Sequence, residues 1–217
     1  MTGELQNSAD VVTAQHSETD LSAAELDHPA WTSAAPIQIA RKWNGEGSLV
    51  SRHAEARIIW TEQSLVVRFV CRQEEPLVVS TVPQVANKTI GLWNRDVCEI
   101  FIAPDARAPE RYFEFEAAPT GEWVDLAIEL KASGRETDFE FHSGMSTAAR
   151  VQPGDVRIAI RVPWSRSIPK PARGDVWRVN LFRCIGLGDA RYLAWRPTFA
   201  PEPNFHVPEA FGRLHFA

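Results

Sequence analysis

DVRIAIRV, Asp155 to Val162, alternates without a break. Val156, Ile158, Ile160 and Val162 fall on one side of an extended chain, and Arg157, Ala159 and Arg161 on the other. Successive side chains of a pleated strand point to opposite faces, so a period of two with one apolar side marks a half-buried strand. The same pattern recurs on either side of this stretch. SLVVRFVC (Ser64 to Cys71) groups Val67, Phe69 and Cys71. VCEIFI (Val97 to Ile102) sets Cys98, Ile100 and Ile102 against Val97, Glu99 and Phe101. RYFEFEA (Arg111 to Ala117) sets Phe113, Phe115 and Ala117 against Tyr112, Glu114 and Glu116. EWVDLAIEL (Glu122 to Leu130), VWRVNLFRC (Val176 to Cys184) and RLHF (Arg213 to Phe216) continue it.

Shorter candidates are Arg57 to Trp60, Leu77 to Ser80, Phe139 to His142 and Tyr192 to Trp195. Turn residues separate the runs, among them Asn44-Gly45, Pro119-Thr120-Gly121, Ser133-Gly134, Pro153-Gly154 and Arg173-Gly174. A helical pattern is suggested only around Leu21 to Leu26. Many strands at hairpin spacing, each with one apolar face, predict an all-β, antiparallel β-sandwich, jelly-roll-like, of two packed sheets. A single domain over residues 10–217 is expected, behind a disordered tail at residues 1–9.

The 217 residues carry a net charge of −5 and form no block of lysine and arginine, which disfavours a nucleic-acid partner. No apolar run approaches the ~20 residues of a membrane span, so no membrane partner is expected. The polar, acidic stretch from Met1 to Asp20 lacks the basic-then-apolar order of a secretion signal, which predicts a cytoplasmic chain. Cys71, Cys98 and Cys184 form no disulfide framework and no metal spacing, and read as small buried hydrophobes.

Over nearly everything from about residue 10 onward, with the Trp31 region and RIIWTEQSLVVRF (Arg57 to Phe69) fitting the opening strands, the chain resembles the family 9 carbohydrate-binding modules and their stand-alone bacterial relatives. LWNRDVCEIFIAP (Leu92 to Pro104) is similar to the family's central signature. RYFEFEAAPTGEWVD, IAIRVPW, GDVWRVNLFR, YLAWRPT and FHVPEAFGRLHF follow in the family's order. The resemblance implies a β-sandwich with a cleft for a small saccharide or a glycan end. The family's binders belong to polysaccharide-degrading systems, such as those acting on xylan. In them two aromatic rings clamp a sugar and a carboxylate holds its hydroxyls. The match carries one ring onto Trp93, the carboxylate onto Glu99 and the second ring onto Phe205, where the family's binders have Trp. Glu114, Glu116 and Phe182 stand where those binders have Arg, Asn and Gln.

The residues themselves leave several chemistries open. A pyranose offers an apolar C–H face to an aromatic ring and hydroxyls to rigid polar groups. Trp93, beside the turn-like Gly91, suits the first. Glu99, Glu114 and Glu116 suit the second, and would cluster if the strands near residues 100 and 114 pair antiparallel. The same carboxylates could instead be a solvated face balanced by Arg157, Arg161, Arg178 and Arg183, or could hold calcium. Otherwise no metal or cofactor is expected. Paired acids also raise glycoside hydrolysis, although nothing marks a proton donor and no catalytic residue is assigned. Haem through His142 and Met145, and a partner-binding scaffold, are further alternatives. Asn180 and His206 are secondary ligand candidates. Of the eight tryptophans, Trp31, Trp60, Trp164 and Trp195 read as framework, Trp123 and Trp177 are ambiguous, Trp43 is uninformative, and Trp93 is the ligand platform. The sequence leaves the oligomeric state open.

Overall fold

A computed structural model describes residues 10–217; the tail expected over residues 1–9 lies outside the described residues. The strands are β1 (Val11–His16), β2 (Ile37–Ile39), β3 (Arg41–Lys42), β4 (Ala54–Trp60), β5 (Ser64–Gln73), β6 (Val97–Ala103) and β7 (Arg111–Ala117). They continue as β8 (Trp123–Lys131), β9 (Gly134–Asp138), β10 (Ser146–Gln152), β11 (Gly154–Pro163), β12 (Val176–Cys184), β13 (Tyr192–Ala194) and β14 (Gly212–Phe216). One layer, the first sheet, runs β9-β8-β7-β6-β12-β14-β1, with β13 beside β12 and β3 beside β13. The second runs β10-β11-β5-β4-β1, with β2 beside β4.

The two sheets meet through β1. Its Val11 to Ala14 pair with β14, and Gln15 and His16 pair with β4, parallel in both cases. The architecture is therefore a mixed β-sandwich, not the purely antiparallel one expected. Apolar alternation says which face a residue takes and nothing about strand direction. Direction here is set by bringing the two ends of the chain together.

Most of the strongly alternating runs send their apolar side to the space between the sheets; β8 is the exception, with Val124, Leu126 and Ile128 in a cluster on the outward side of the first sheet. Between the sheets Val67, Phe69 and Cys71 meet Cys98, Ile100, Ile102 and Phe115, with Val156, Ile158, Ile160, Val179 and Leu181. A fully buried side chain of this size contributes about 1.5–3 kcal/mol, which fixes the register, since a slip of one residue would invert every face. Trp60, Trp177 and Phe216 close one end of this core with edge-to-face contacts at 5.7 and 4.8 Å. Trp177, ambiguous by sequence, is thus core. Met145 is buried in the same core while His142 is exposed, so the two do not form a haem-ligand pair. All three cysteines are free and buried, and Cys71 Sγ lies 3.4 Å from Cys98 Sγ across the core.

Other expectations fail for physical reasons. Leu21 to Leu26 is a series of turns, not a helix; Leu21, Leu26 and Trp31 lie over the outward side of the second sheet against Ile59, Val66 and Ala159. Leu77 to Ser80 and Phe139 to His142 are loop, although Leu77 and Phe141 pack on the core. Among the described residues no helix is long and apolar enough to cross a membrane.

Candidate functional site

The outward side of the first sheet carries a second apolar cluster containing Val97, Phe101, Tyr112, Val124, Leu126, Phe182 and Phe205. Three acids stand in the middle of it. In the antiparallel pairing of β6 with β7, Glu99 lies opposite Glu116 and Phe101 opposite Glu114. The strand pairing that would cluster the three carboxylates is therefore present. The turn Pro119-Thr120-Gly121 returns the chain from β7 to β8, with Gly121 at φ +85 and its N–H donating to Ala118 O at 2.9 Å.

Glu99, Glu114 and Glu116 are 2, 3 and 0% exposed, and one oxygen of each lies within 4.8 Å of the others. Among the described residues no other three carboxylate, imidazole or thiol groups converge in this way. Glu99 accepts the Cys184 S–H at 3.3 Å. One oxygen of Glu114 and both of Glu116 are buried with no donor beyond the acids themselves. The arginines suggested as their balance are elsewhere. Arg157 pairs with Asp27 and Asp155, and Arg161 with Asp20, all at the second sheet. Arg183 points inward and donates to Arg52 O, His53 O, Arg72 O and Gln73. Arg178 donates to Phe211 O.

Burial without counter-charge favours the protonated form. Burial, then the Glu114 charge, pushes the Glu99 carboxyl up to about 8. Burial with both neighbouring acids lifts Glu116 well above the usual range, where it shares its proton with Glu114. Glu114 is raised by burial too, but that shared hydrogen bond and Arg135 work in the opposite direction, so it ionises before Glu116.

Above the acids is a cavity of about 260 Å³, lined by Trp93, Glu99, Phe101, Glu114, Leu126, Arg135, Thr137, Phe139, Cys184, Tyr192, Pro203, Asn204, Phe205 and His206. Trp93 is half-buried in a single 3-10 turn, Leu92–Asn94, entered through Gly91 at φ +84. A positive φ of that size strains any residue with a Cβ, so glycine fixes how the turn presents the indole. Trp31, Trp60, Trp123 and Trp164 each donate their indole N–H to a backbone carbonyl; among the described residues that of Trp93 has no acceptor.

Phe205 borders the same cavity but is only 8% exposed. One of its faces stacks on Phe182 at 4.0 Å and 13°, and Tyr192 meets it edge-on at 5.8 Å. His206 shares a 2.8 Å hydrogen bond with Tyr112 OH through Nδ1, and its Nε2 lies 3.9 Å from Glu114. Burial, then the Arg135 charge, pushes this imidazole down to about 3, so it is neutral near pH 7. Asn180 is fully buried and does not border the cavity. Its amide N–H donates to Arg196 O, and its carbonyl oxygen accepts from Leu181 N and Arg196 N. Glu116 also lies behind the lining, under Glu99 and Glu114.

Sequence reasoning did not single out Phe101, Leu126, Arg135, Thr137, Phe139, Cys184, Tyr192, Pro203 and Asn204 as lining. Parity was a usable signal for Phe101, which shares a face with Glu99, and for Leu126 and Cys184. Nothing marked Arg135 or Thr137, on the polar edge strand β9. A wider depression of about 580 Å³ near Tyr112 and Ile128 holds Asp105, Arg111, Glu129, Glu136 and Asp138, none of them buried. It lacks the desolvated, converging groups that fix a ligand's orientation.

Residues 24–217 match the family model described as carbohydrate family 9 binding domain-like. The chain belongs to that family. No curated protein matches it. A Bacteroides uniformis ATCC 8492 protein assigned to carbohydrate binding by name shares its fold at TM-score 0.71 and 17% identity, over 96% of this chain and 99% of the other. A family 9 module from Caldicellulosiruptor kristjanssonii in complex with glucose aligns at TM-score 0.62 and 14% identity, over 95% of each chain. The same organism's module with cellotriose aligns at 0.63 and 15%, over 95% of this chain and 93% of the other. At such identities the likeness is one of fold.

Proposed function

We propose that this family 9 domain binds a small saccharide or a glycan end, without cleaving it, in the cavity over β6 and β7. The observation that carries this reading is one small cavity combining a half-free indole, Trp93, with two desolvated carboxylates, Glu99 and Glu114. These are the two chemistries a pyranose requires, an apolar platform and fixed polar acceptors. The fold neighbours with glucose and cellotriose support it. In this reading Trp93 is the main stacking surface. Phe205, committed to Phe182, shapes the opposite boundary, and His206 positions Glu114 from the rim. Asn180 serves the backbone and Glu116 acts from behind.

Hydrolysis is disfavoured by placement. Glycosidases set their acid and base across the scissile bond. Here the acids stand side by side on one sheet face, with no room for a sugar between Glu99 and Glu116.

The test is a glycan array followed by calorimetric titration of the best binder, with glucose and cellotriose included. A mono- or oligosaccharide binds, and Trp93→Ala weakens it at least ~10-fold. No binding across the panel, or binding indifferent to Trp93, overturns the reading.

A further inference from the structure

The described residues include six buried acids, and they divide evenly. Asp96 accepts from Val78 N and Gly186 N. Glu122 accepts from Gln84 N, Arg95 and Thr120. Asp125 is held by Lys88 at 2.7 Å and by Ser143 N and Oγ at 2.6 and 2.7 Å. Glu99, Glu114 and Glu116 have no cation and no N–H donor. A fold that partners three buried acids fully and leaves three adjacent ones bare has left out a cationic group at the second set.

We propose that the cavity selects a saccharide bearing an ammonium group, an amino sugar, whose –NH3+ is received by Glu99 and Glu114 with Glu116 behind them. The proposal rests on the saccharide reading and narrows its ligand class. Geometry admits it: Glu99 and Glu114 both border the cavity, and their carboxyl oxygens lie within 4.8 Å of one another, close enough for one ammonium nitrogen to reach both at ~2.8 Å. The surroundings fit as well. Trp93, Phe101, Tyr192 and Phe205 line the cavity, and aromatic faces attract a desolvated cation as well as a sugar's C–H face.

Charge separates an ammonium from a metal dication. Burial raises all three carboxyls, Glu99 to about 8 and Glu114 and Glu116 above the usual carboxylate range, so the cluster carries fewer negative charges near neutral pH than it has carboxyl groups. The other titratable groups turned toward it are neutral Cys184, Tyr112 and His206, Arg135 in the cavity lining, whose charge acts on Glu114, and more remotely Arg191. A cluster with its charge reduced in this way suits a single ammonium better than a dication. A hard dication would have to displace the retained protons, and it requires six to eight oxygens, which a lining of Phe101, Leu126, Cys184 and Phe205 does not supply.

The experiment titrates glucosamine, N-acetylglucosamine and glucose into the wild type, Glu114→Gln and Glu99→Gln, and separately CaCl2 and MnCl2 without sugar. Near-isosteric amides remove charge and no volume, and thermal melts verify folding of both variants. The expected result is glucosamine bound at least ~10-fold more tightly than either neutral sugar, with the ratio collapsing toward one in Glu114→Gln. Equal affinity for glucosamine and glucose would overturn this inference and leave the saccharide reading standing. Calcium or manganese binding that depends on Glu114, with no preference for glucosamine, would overturn it in favour of a metal site. No sugar bound at all would overturn both readings.

Discussion

The outward sides of the two sheets are built from the same kind of strand, with charged residues on the side away from the core, yet they treat charge differently. On the second sheet the outward arginines Arg57, Arg68, Arg157 and Arg161 all find partners. Arg161 reaches Asp20 at 2.8 Å, and Arg57 reaches Glu55 at 2.7 Å and the carbonyls of Trp31 and Ala34. Arg68 donates to Leu26 O and lies 5.0 Å over the Trp31 ring. The covering segment from Asp20 to Ala34 is folded down by these contacts. On the first sheet three outward acids, Glu99, Glu114 and Glu116, have no paired cation, and what covers them is a cavity with Arg135 in its lining. A covered and neutralised face is framework; a cluster of desolvated, unpaired acids beneath an opening is the candidate site for a ligand.

Two tryptophans sharpen that contrast most. Trp31 is 1% exposed, and Trp31→Ala is expected to cost about 3–5 kcal/mol by uncovering Ile59 and Val66. Trp93→Ala, at a half-buried ring, should cost about 1 kcal/mol while removing saccharide binding. Equal losses of stability in urea unfolding of the two variants would erase the distinction between cover and platform.

A smaller effect follows from the bare acids. Glu99 rises to about 8 in the folded state, so the folded chain holds a proton there that the unfolded chain has released. The resulting stability is fully present below the unfolded value of about 4.5 and is lost as pH rises through about 8, by at most ~1.4 kcal/mol per pH unit. In Glu99→Gln this decline between pH 5 and pH 8 should flatten. His206 works the other way: its folded value of about 3 makes the imidazole destabilising as pH falls below about 6.5. Parallel pH profiles for wild type and Glu99→Gln in chemical denaturation would show that the carboxyl is not desolvated as described.

The strands with neighbours on both sides were legible because burial fixes their faces. β6, β7 and β12 in the first sheet and β11 in the second have sequence-derived bounds that agree with the structure to within a residue. β9 (GRETD) is a polar edge strand, and β10 (STAARVQ) is an edge of small and half-exposed residues, so neither has an apolar side to read. β1 depends on partners at the far end of the chain, and its parallel pairing leaves no local trace. In the site, parity placed Glu114 and Glu116 on one face and joined Glu99 to them only if β6 and β7 pair antiparallel, as they do, and the family resemblance pointed to Trp93, Glu99 and Phe205. Only the structure shows that Phe205 is stacked on Phe182, that Asn180 is bound to backbone, and that Arg157, Arg161, Arg178 and Arg183 all point away from the acids.

The most direct test is a crystal structure of the chain with the saccharide that binds most tightly on the array. The expected result is a sugar ring resting against Trp93, with polar groups within hydrogen-bond distance of Glu99 and Glu114. A sugar lodged elsewhere, for instance in the wider depression beside Tyr112 and Ile128, or one that leaves Trp93 and both carboxylates untouched, would contradict it.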